Sequence, residues 1–158
     1  MSLPISRITN LCYIINDKSE VLLVLKKRGF GQGKWNGPGG KVKSNELPIQ
    51  AVVREIKEEV GLEIFDPLEL GYIEFIWPKG LEDYNQRCFV YLVNKFLGEV
   101  KESEECLPKW FPINNLPYDQ MWEDDKYWYP QALAGQPIKK RFYFDADNKI
   151  IKFEEIES

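Results

Sequence analysis

GGKVKSNELPIQAVVREIKEEVGL, residues 39–62, changes character along its length: a glycine-rich entrance gives way to a helical period. From about Leu47 to Val60, the apolar residues Ile49, Val52, Val53, Ile56 and Val60 recur at spacings of three and four, which predicts a helix with one face in a core. Pro48 suits the first helical turn, where its missing N–H costs nothing, and Gly61 suits the left-handed position after the last turn. The same helix carries Arg54, Glu55, Glu58 and Glu59. Glu55 meets Glu58 and Glu59 at i+3 and i+4, so the three carboxylates share one edge, with Val52, Val53, Ile56 and Val60 directed to the core on the opposite side. Exposed like charges at that spacing repel by about 0.2–0.5 kcal/mol per pair. A divalent cation with a preference for oxygen ligands, Mg²⁺ or Mn²⁺, reverses the sign. A solvated acidic face, partly neutralised by Arg54 and Lys57, is the alternative that this pattern alone leaves open.

On the N-terminal side lie two apolar runs, ITNLCYII (8–15) and EVLLVLKK (20–27), separated by the turn-like NDKS and predicted to form a hairpin. A loop with six glycines, RGFGQGKWNGPGGK (28–41), leads from them to the helix. On the C-terminal side LGYIEFIW (70–77) and QRCFVYLVNKF (86–96) read as strands joined across PKGLEDYN, and CLPKWFP (106–112) as a short extended piece. WEDDKYWYPQAL (122–133) suits a short second helix, with Pro130 awkward in its interior. KRFYFDADNKIIKFEEI (140–156) closes the chain as a hairpin turning at Asp145–Asn148. Strands interleaved with two helices predict the α/β class, a mixed β-sheet covered on both faces as an α/β/α sandwich. No repeat or low-complexity linker divides residues 1–158, so one domain is expected.

Composition narrows the chemistry. The 158 residues include no histidine, which excludes a Ser-His-Asp triad, a Cys-His pair, His-ligated zinc and an imidazole base. Catalysis must therefore use carboxylates, Lys, Tyr or Cys, or a hard metal on oxygen ligands. The net charge of −4 argues against a polymeric nucleic-acid partner without excluding a single nucleotide bound through a cation. Three cysteines, Cys12, Cys88 and Cys106, have no metal-ligand spacing and read as reduced, which points to the cytoplasm. No run approaches the roughly 18 apolar residues of a membrane span, and MSLPISR lacks the apolar core of a signal peptide.

The helix and its entrance together carry a longer pattern. Counting from Gly40, five residues lead to Glu46, and seven more lead to Arg54, Glu55, Ile56, then Glu58, Glu59, Gly61 and Leu62. This resembles the box of the Nudix family, G-x5-E-x7-R-E-U-x-E-E-x-G-U with U a bulky aliphatic, at every defined position. The resemblance implies a loop–helix–loop that binds Mg²⁺, with Mn²⁺ as a possible substitute, and a nucleoside-diphosphate-linked substrate attacked by water at phosphorus. It assigns the metal to Glu55, Glu58, Glu59 and the Gly39 carbonyl. Glu59 serves as ligand or base, Arg54 orients a carboxylate, and Glu46 holds the loop.

Further blocks narrow the substrate. KKRGFGQGKWNGPGGKV (26–42), the acids ESEE (102–105) ahead of WF, and MWEDDKYWYP (121–130) are similar to the oxidised purine nucleoside triphosphate diphosphatases within that family. That similarity implies hydrolysis of 8-oxo-dGTP and 2-hydroxy-dATP to monophosphate and pyrophosphate by a cytoplasmic monomer that clears the nucleotide pool. It sets Asn36, Trp122, Asp124 and Asp125 at the base and Glu105 beside the metal. Phe30 and Phe75 suit the pocket lining, Trp128 and Phe144 its walls, and Lys26, Lys27 and Arg28 the triphosphate. Asp124 and Asp125, adjacent acids among aromatics, are expected to share a proton, because burying both as anions is costly. The chain departs from the subfamily pattern at Thr9, at Tyr84 and through WPKGLEDYNQR (77–87). A Nudix hydrolase of a nucleotide sugar or dinucleotide, and a non-catalytic nucleotide-binding module, are the alternative readings.

Overall fold

Residues 4–157 are described by a computed structural model. The amphipathic segment forms α1 (Pro48–Val60), with Pro48 in its first turn and Gly61 at φ 82° just beyond it, donating its N–H to the Lys57 carbonyl at 3.1 Å. Val52, Ile56 and Val60 are fully buried, whereas Ile49 and Val53 are about two-fifths exposed. Val53 is therefore not a core residue as its spacing suggested; it lines a shallow surface groove with Ile64, Phe65 and Leu68.

The remaining elements in chain order are β1 (Arg7–Ile14), β2 (Glu20–Lys26), β3 (Trp35–Asn36), β4 (Gly39–Lys41), β5 (Glu63–Phe65), β6 (Leu68–Ile76), β7 (Gln86–Val93), β8 (Lys95–Leu97), β9 (Cys106–Pro112), α2 (Asp125–Leu133), β10 (Ile138–Phe144) and β11 (Ile150–Glu155). A six-stranded sheet runs β11-β10-β6-β7-β1-β4, parallel at β10–β6 and β1–β7 and antiparallel elsewhere. A three-stranded sheet runs β3-β2-β9, and β5 pairs with β8.

The expected hairpin of the first two strands does not form. β1 pairs over its whole length with β7, from Arg7↔Gln86 to Ile14↔Val93, while β2 pairs with β9, and only an Ile15↔Val21 bridge joins the two runs. Both runs alternate between two cores, so each acts as a divider rather than as half of a hairpin. Tyr13, Val21 and Leu23 enter one core; Cys12, Ile14, Leu22 and Val24 enter the other. The closing hairpin forms as predicted, with the Asp145 N–H donating to the Lys149 carbonyl at 2.8 Å across the turn.

The first core packs Trp128, Tyr129 and Ala132 of α2 against Ile73, Val90 and Phe142; the second packs Val52, Ile56 and Val60 of α1 against Tyr91 and Val93. The mixed sheet thus has one helix on each face, the α/β/α sandwich that the pattern predicted. Helix α2 accommodates Pro130 because that residue faces solvent. Full burial of Trp128 and Tyr129, about 1.5–3 kcal/mol for each large side chain, offsets the lost backbone bond. Among the described residues, no helix is long and apolar enough to cross a membrane.

Candidate active site

A cavity of about 330 Å³ opens between β1, β4, β6 and β7, the glycine-rich loop and the segment before α2. That size falls in the range of small-molecule sites, roughly 300–1,000 Å³. Of the residues singled out from sequence, Lys26, Phe30, Asn36, Gly39, Glu55, Glu59, Phe75, Glu105, Trp122, Asp124 and Asp125 line it. They come from segments scattered over a hundred residues, and two chemically different neighbourhoods result.

The first is acidic. The Gly39 N–H donates to Glu59 Oε2 at 3.3 Å. Burial pushes the Glu59 carboxyl up to about 7, and the nearby Glu55 charge acts in the same direction. A methyl group on Gly40 would overlap the Glu55 carboxylate, and one on Gly39 would overlap the Asn10 backbone carbonyl. The two glycines are thus required by close approach, of a carboxylate in one case and of a strand in the other. Arg54 organises the acids: Nη1 donates to Glu55 at 2.7 Å and to Glu58 at 3.1 Å, and Nη2 donates to Glu46 at 2.6 Å and to the Lys41 carbonyl at 3.1 Å. Glu46 also accepts the Lys43 N–H at 2.9 Å, which ties the 41–46 turn to α1. The Arg54 hydrogen bonds hold the Glu46 carboxyl down to about 2.

Glu58, expected beside the metal, lies outside the cavity with its side chain 59% exposed and directed to Arg54. Among the described residues, no three carboxylates or thiols are gathered into a ready cation cage. The donor chemistry nonetheless suits a hard divalent ion. Glu55, Glu59 and Glu105 bring carboxylate oxygens to the lining of the cavity, burial disfavours the charge of Glu59, and the Glu55 carboxylate lies against Gly40.

The second neighbourhood is aromatic. Trp122 is half-buried, 5.1 Å from Phe30 and 6.3 Å from Trp77 between ring centres, with Lys34 Nζ 5.5 Å above its ring. Tyr84 stacks on Phe30 at 4.5 Å. Phe144 does not reach the cavity; it is buried behind Trp77, stacked at 4.8 Å, and braces that wall. Trp128 likewise sits behind the surface, donating its indole N–H to Asp124 Oδ2 at 2.8 Å.

Asp124 and Asp125 are each 2% exposed. Burial drives both carboxyls toward the protonated form; for Asp125 the adjacent Asp124 charge adds to the push, and for Asp124 the Trp128 bond partly opposes it. The pair therefore keeps a proton to higher pH than two free carboxyls would, with Asp125 the more strongly driven partner. Its Oδ2 is buried and has no hydrogen-bond partner among the described residues, in a side chain that lines the cavity.

Of the basic strand end, only Lys26 lines the cavity, joined by Lys34 from the glycine-rich loop; neither has a carboxylate within ion-pair distance among the described residues. Lys27 pairs with Glu102 and donates to the Ser103 carbonyl at 2.8 Å, and Arg28 lies 3.6 Å from Glu105. Thr9, Trp77 and Gln86, noted from sequence only as departures from the subfamily pattern, also line the cavity, as do Asn10, Lys34 and Cys88, which sequence reasoning did not assign to a site. Trp77 follows Phe75 by two, a strand period that marks it as a companion. The others depend on lateral register, such as Thr9↔Cys88 and Phe75↔Gln86.

Comparison with known proteins gives a consistent result. Residues 6–132 match the NUDIX domain model. The oxidized purine nucleoside triphosphate hydrolase of Danio rerio is 38% identical over 156 residues, spanning 96% of this chain and 97% of the relative. Its Mus musculus counterpart of the same name is 35% identical, over 94% and 93%. Among solved structures, a MutT protein from Bacillus halodurans superposes with a TM-score of 0.83 at 24% identity, covering 94% and 96% of the two chains. A MutT NUDIX hydrolase from Burkholderia pseudomallei superposes at 0.64 with 32% identity, covering 70% and 86%.

Proposed function

The chain belongs to the Nudix family, and from that premise we propose that it hydrolyses oxidised purine nucleoside triphosphates to the monophosphate and pyrophosphate. The observation that carries this reading is the proton-retaining Asp124–Asp125 pair, buried in an aromatic wall of the same cavity that Glu55 and Glu59 line. A purine needs a flat contact and an edge reader. Trp122, with Phe30 and Phe75, supplies stacking surface worth about 1–3 kcal/mol per contact. A neutral Asp125 beside an ionised Asp124 offers one donor and one acceptor, and moving the proton swaps their order, so one pocket can read oxidised guanine and oxidised adenine. The alternative of a non-catalytic module is disfavoured by the intact box.

Lys26 and Lys34, free of acidic partners among the described residues, neutralise the triphosphate. Glu59, oriented by the Gly39 N–H, takes the proton from the attacking water, and the broken P–O bond leaves pyrophosphate. A divalent ion, Mg²⁺ with Mn²⁺ as a substitute, would be held by Glu55, Glu59, Glu105 and the Gly39 carbonyl and would offset the charge developing on the phosphoryl oxygens. Glu58 would have to release Arg54 to join them. Arg54 and Glu46 orient the set rather than touch substrate. A cytoplasmic monomer acting on free nucleotides is the corresponding setting.

The two glycines give a paired test. Gly40→Ala meets only the mobile end of Glu55 and is expected to lower turnover at least 10-fold while shifting Tm by less than about 3 °C. Gly39→Ala meets backbone and is expected to lower Tm by more than about 5 °C. Circular dichroism melting alongside activity checks both, and an active Gly40→Ala enzyme with unchanged kcat removes Glu55 from the reaction.

The function itself is tested by product analysis with Mg²⁺ on 8-oxo-dGTP, 2-hydroxy-dATP, dGTP, dATP and one nucleotide sugar. Preferred turnover of the oxidised nucleotides with pyrophosphate release is expected. Preference for the sugar, or uniformly weak turnover, overturns the substrate assignment.

A further inference from the structure

Behind the aromatic wall lies a hydrogen-bonded group that the mechanism above does not use. The Tyr129 side chain is fully buried in α2, and its hydroxyl donates to Asn36 Oδ1 at 2.5 Å. The Gly37 N–H donates to the same Oδ1 at 2.9 Å and lies 3.3 Å from the Tyr129 hydroxyl oxygen. Both bonds occupy the oxygen end of the Asn36 carboxamide, in the wall of the cavity, and among the described residues nothing accepts from its Nδ2. The surroundings keep Tyr129 in place. Its ring meets Tyr13 edge-on at 4.8 Å and Trp128 at 4.7 Å, and a methyl on Gly37 would come within 2.8 Å of the Tyr13 ring.

An asparagine amide otherwise exchanges donor and acceptor by a half-turn of its side chain. Resting on the reading of the cavity as a purine site, we propose that Tyr129 is a specificity-determining positioning residue: its hydroxyl, whose oxygen faces the Gly37 N–H, acts with that N–H to lock the Asn36 amide with the NH₂ group toward the base, so that this position reads only an acceptor. The Asp124–Asp125 pair can interchange donor and acceptor by moving a proton, whereas Asn36 cannot follow while Tyr129 and the Gly37 N–H together hold its oxygen. One edge of the site is thus adaptable and one is fixed. The fixed edge sets an unequal preference between oxidised guanine, with a carbonyl at C6, and oxidised adenine, with an amino group there. Buried polar groups left unpaired by the wrong base are what give such a preference its size.

Tyr129→Phe removes one oxygen and leaves the ring packing in place. The ratio of kcat/KM for 8-oxo-dGTP to that for 2-hydroxy-dATP is expected to move toward unity by about 3-fold in this variant, because the amide, then held by the Gly37 N–H alone, turns more readily to suit either base. In an Asn36→Ala background the same Tyr129→Phe change should leave the ratio unaltered, since its lever is gone. Tyr13→Phe, which removes the neighbouring buried hydroxyl that has no partner, should also leave the ratio unaltered. A fall of both substrates by one common factor, or the same shift with and without Asn36, assigns Tyr129 to packing alone and overturns the proposal. If the parent enzyme does not prefer oxidised purines at all, it is the purine reading that fails, and the parent measurement alone detects that.

Discussion

Glu59→Gln is expected to lower kcat on an oxidised purine triphosphate by about 10³-fold at saturating Mg²⁺, a loss of about 4 kcal/mol of transition-state stabilisation. The carboxamide keeps an oxygen for the Gly39 N–H and fills the same space, so the wall of the cavity is retained. It cannot take a proton from water, and it binds a hard cation far more weakly than a carboxylate does. KM should change little, since the purine contacts of Trp122, Asp124 and Asp125 belong to the other neighbourhood. Stability should move the other way. The native fold buries Glu59 against a desolvation penalty, and a neutral isostere relieves it, so Tm measured with a chelator present should be unchanged or higher. Turnover within threefold of the parent would remove Glu59 from the chemistry.

Asp125→Asn combines an expected loss of about 10²-fold in kcat/KM on oxidised purines with a gain in stability at alkaline pH. The activity term arises because the variant fixes a donor and an acceptor in one arrangement and ends the exchange with Asp124. The stability term follows from proton linkage. Burial raises the carboxyls of the native pair above the ordinary value of 3.8, so the folded protein retains a proton that the unfolded chain has released. Their contribution is present in full below the unfolded value and is lost as pH rises through the folded one. At pH 8 the native state therefore has to keep on Asp125 a proton that the unfolded chain has released, a cost that Asp125→Asn removes, and the variant is expected to be more stable by about 1–3 kcal/mol. Below the unfolded value of 3.8 the difference should largely vanish. Glu46 has the opposite sign: Arg54 holds its carboxyl down from 4.5 to about 2, so that contribution is present above 4.5 and lost as pH falls toward 2. Thermal melts of parent and variant from pH 3 to 8 separate the two, and an Asp125→Asn protein that is less stable at pH 8 than its parent contradicts the retained-proton account. Stability gained together with activity lost is what a functional buried acid should show.

Much of this protein was legible in 24 consecutive residues. The helix, its proline entry and glycine exit, the acidic edge and the spacing of Gly40, Glu46, Arg54 and Glu59 are all local. Helical periodicity records which side of a single segment is buried, and no distant partner is needed to state it. The adjacent acids of WEDD were legible for the same reason, since aromatic neighbours in sequence already implied burial.

Tertiary structure alone decided the rest. The alternation of β1 and β2 records that they are strands, but the partner of a strand is fixed by register against another segment. The turn-like NDKS therefore suggested a hairpin where the chain instead divides between two sheets. The acidic edge of α1 grouped three carboxylates, and the packing around it separates them: Glu55 and Glu59 line the cavity, while Glu58 lies outside it against Arg54. KKR at the end of β2 predicted three cations for phosphate, yet the 102–105 acids engage Lys27 and Arg28 and leave Lys26. Asn36 and Tyr129 stand 93 residues apart, and nothing within either segment marks the other. A residue's type follows from its own chain, whereas the atoms it finally faces depend on every element packed around it.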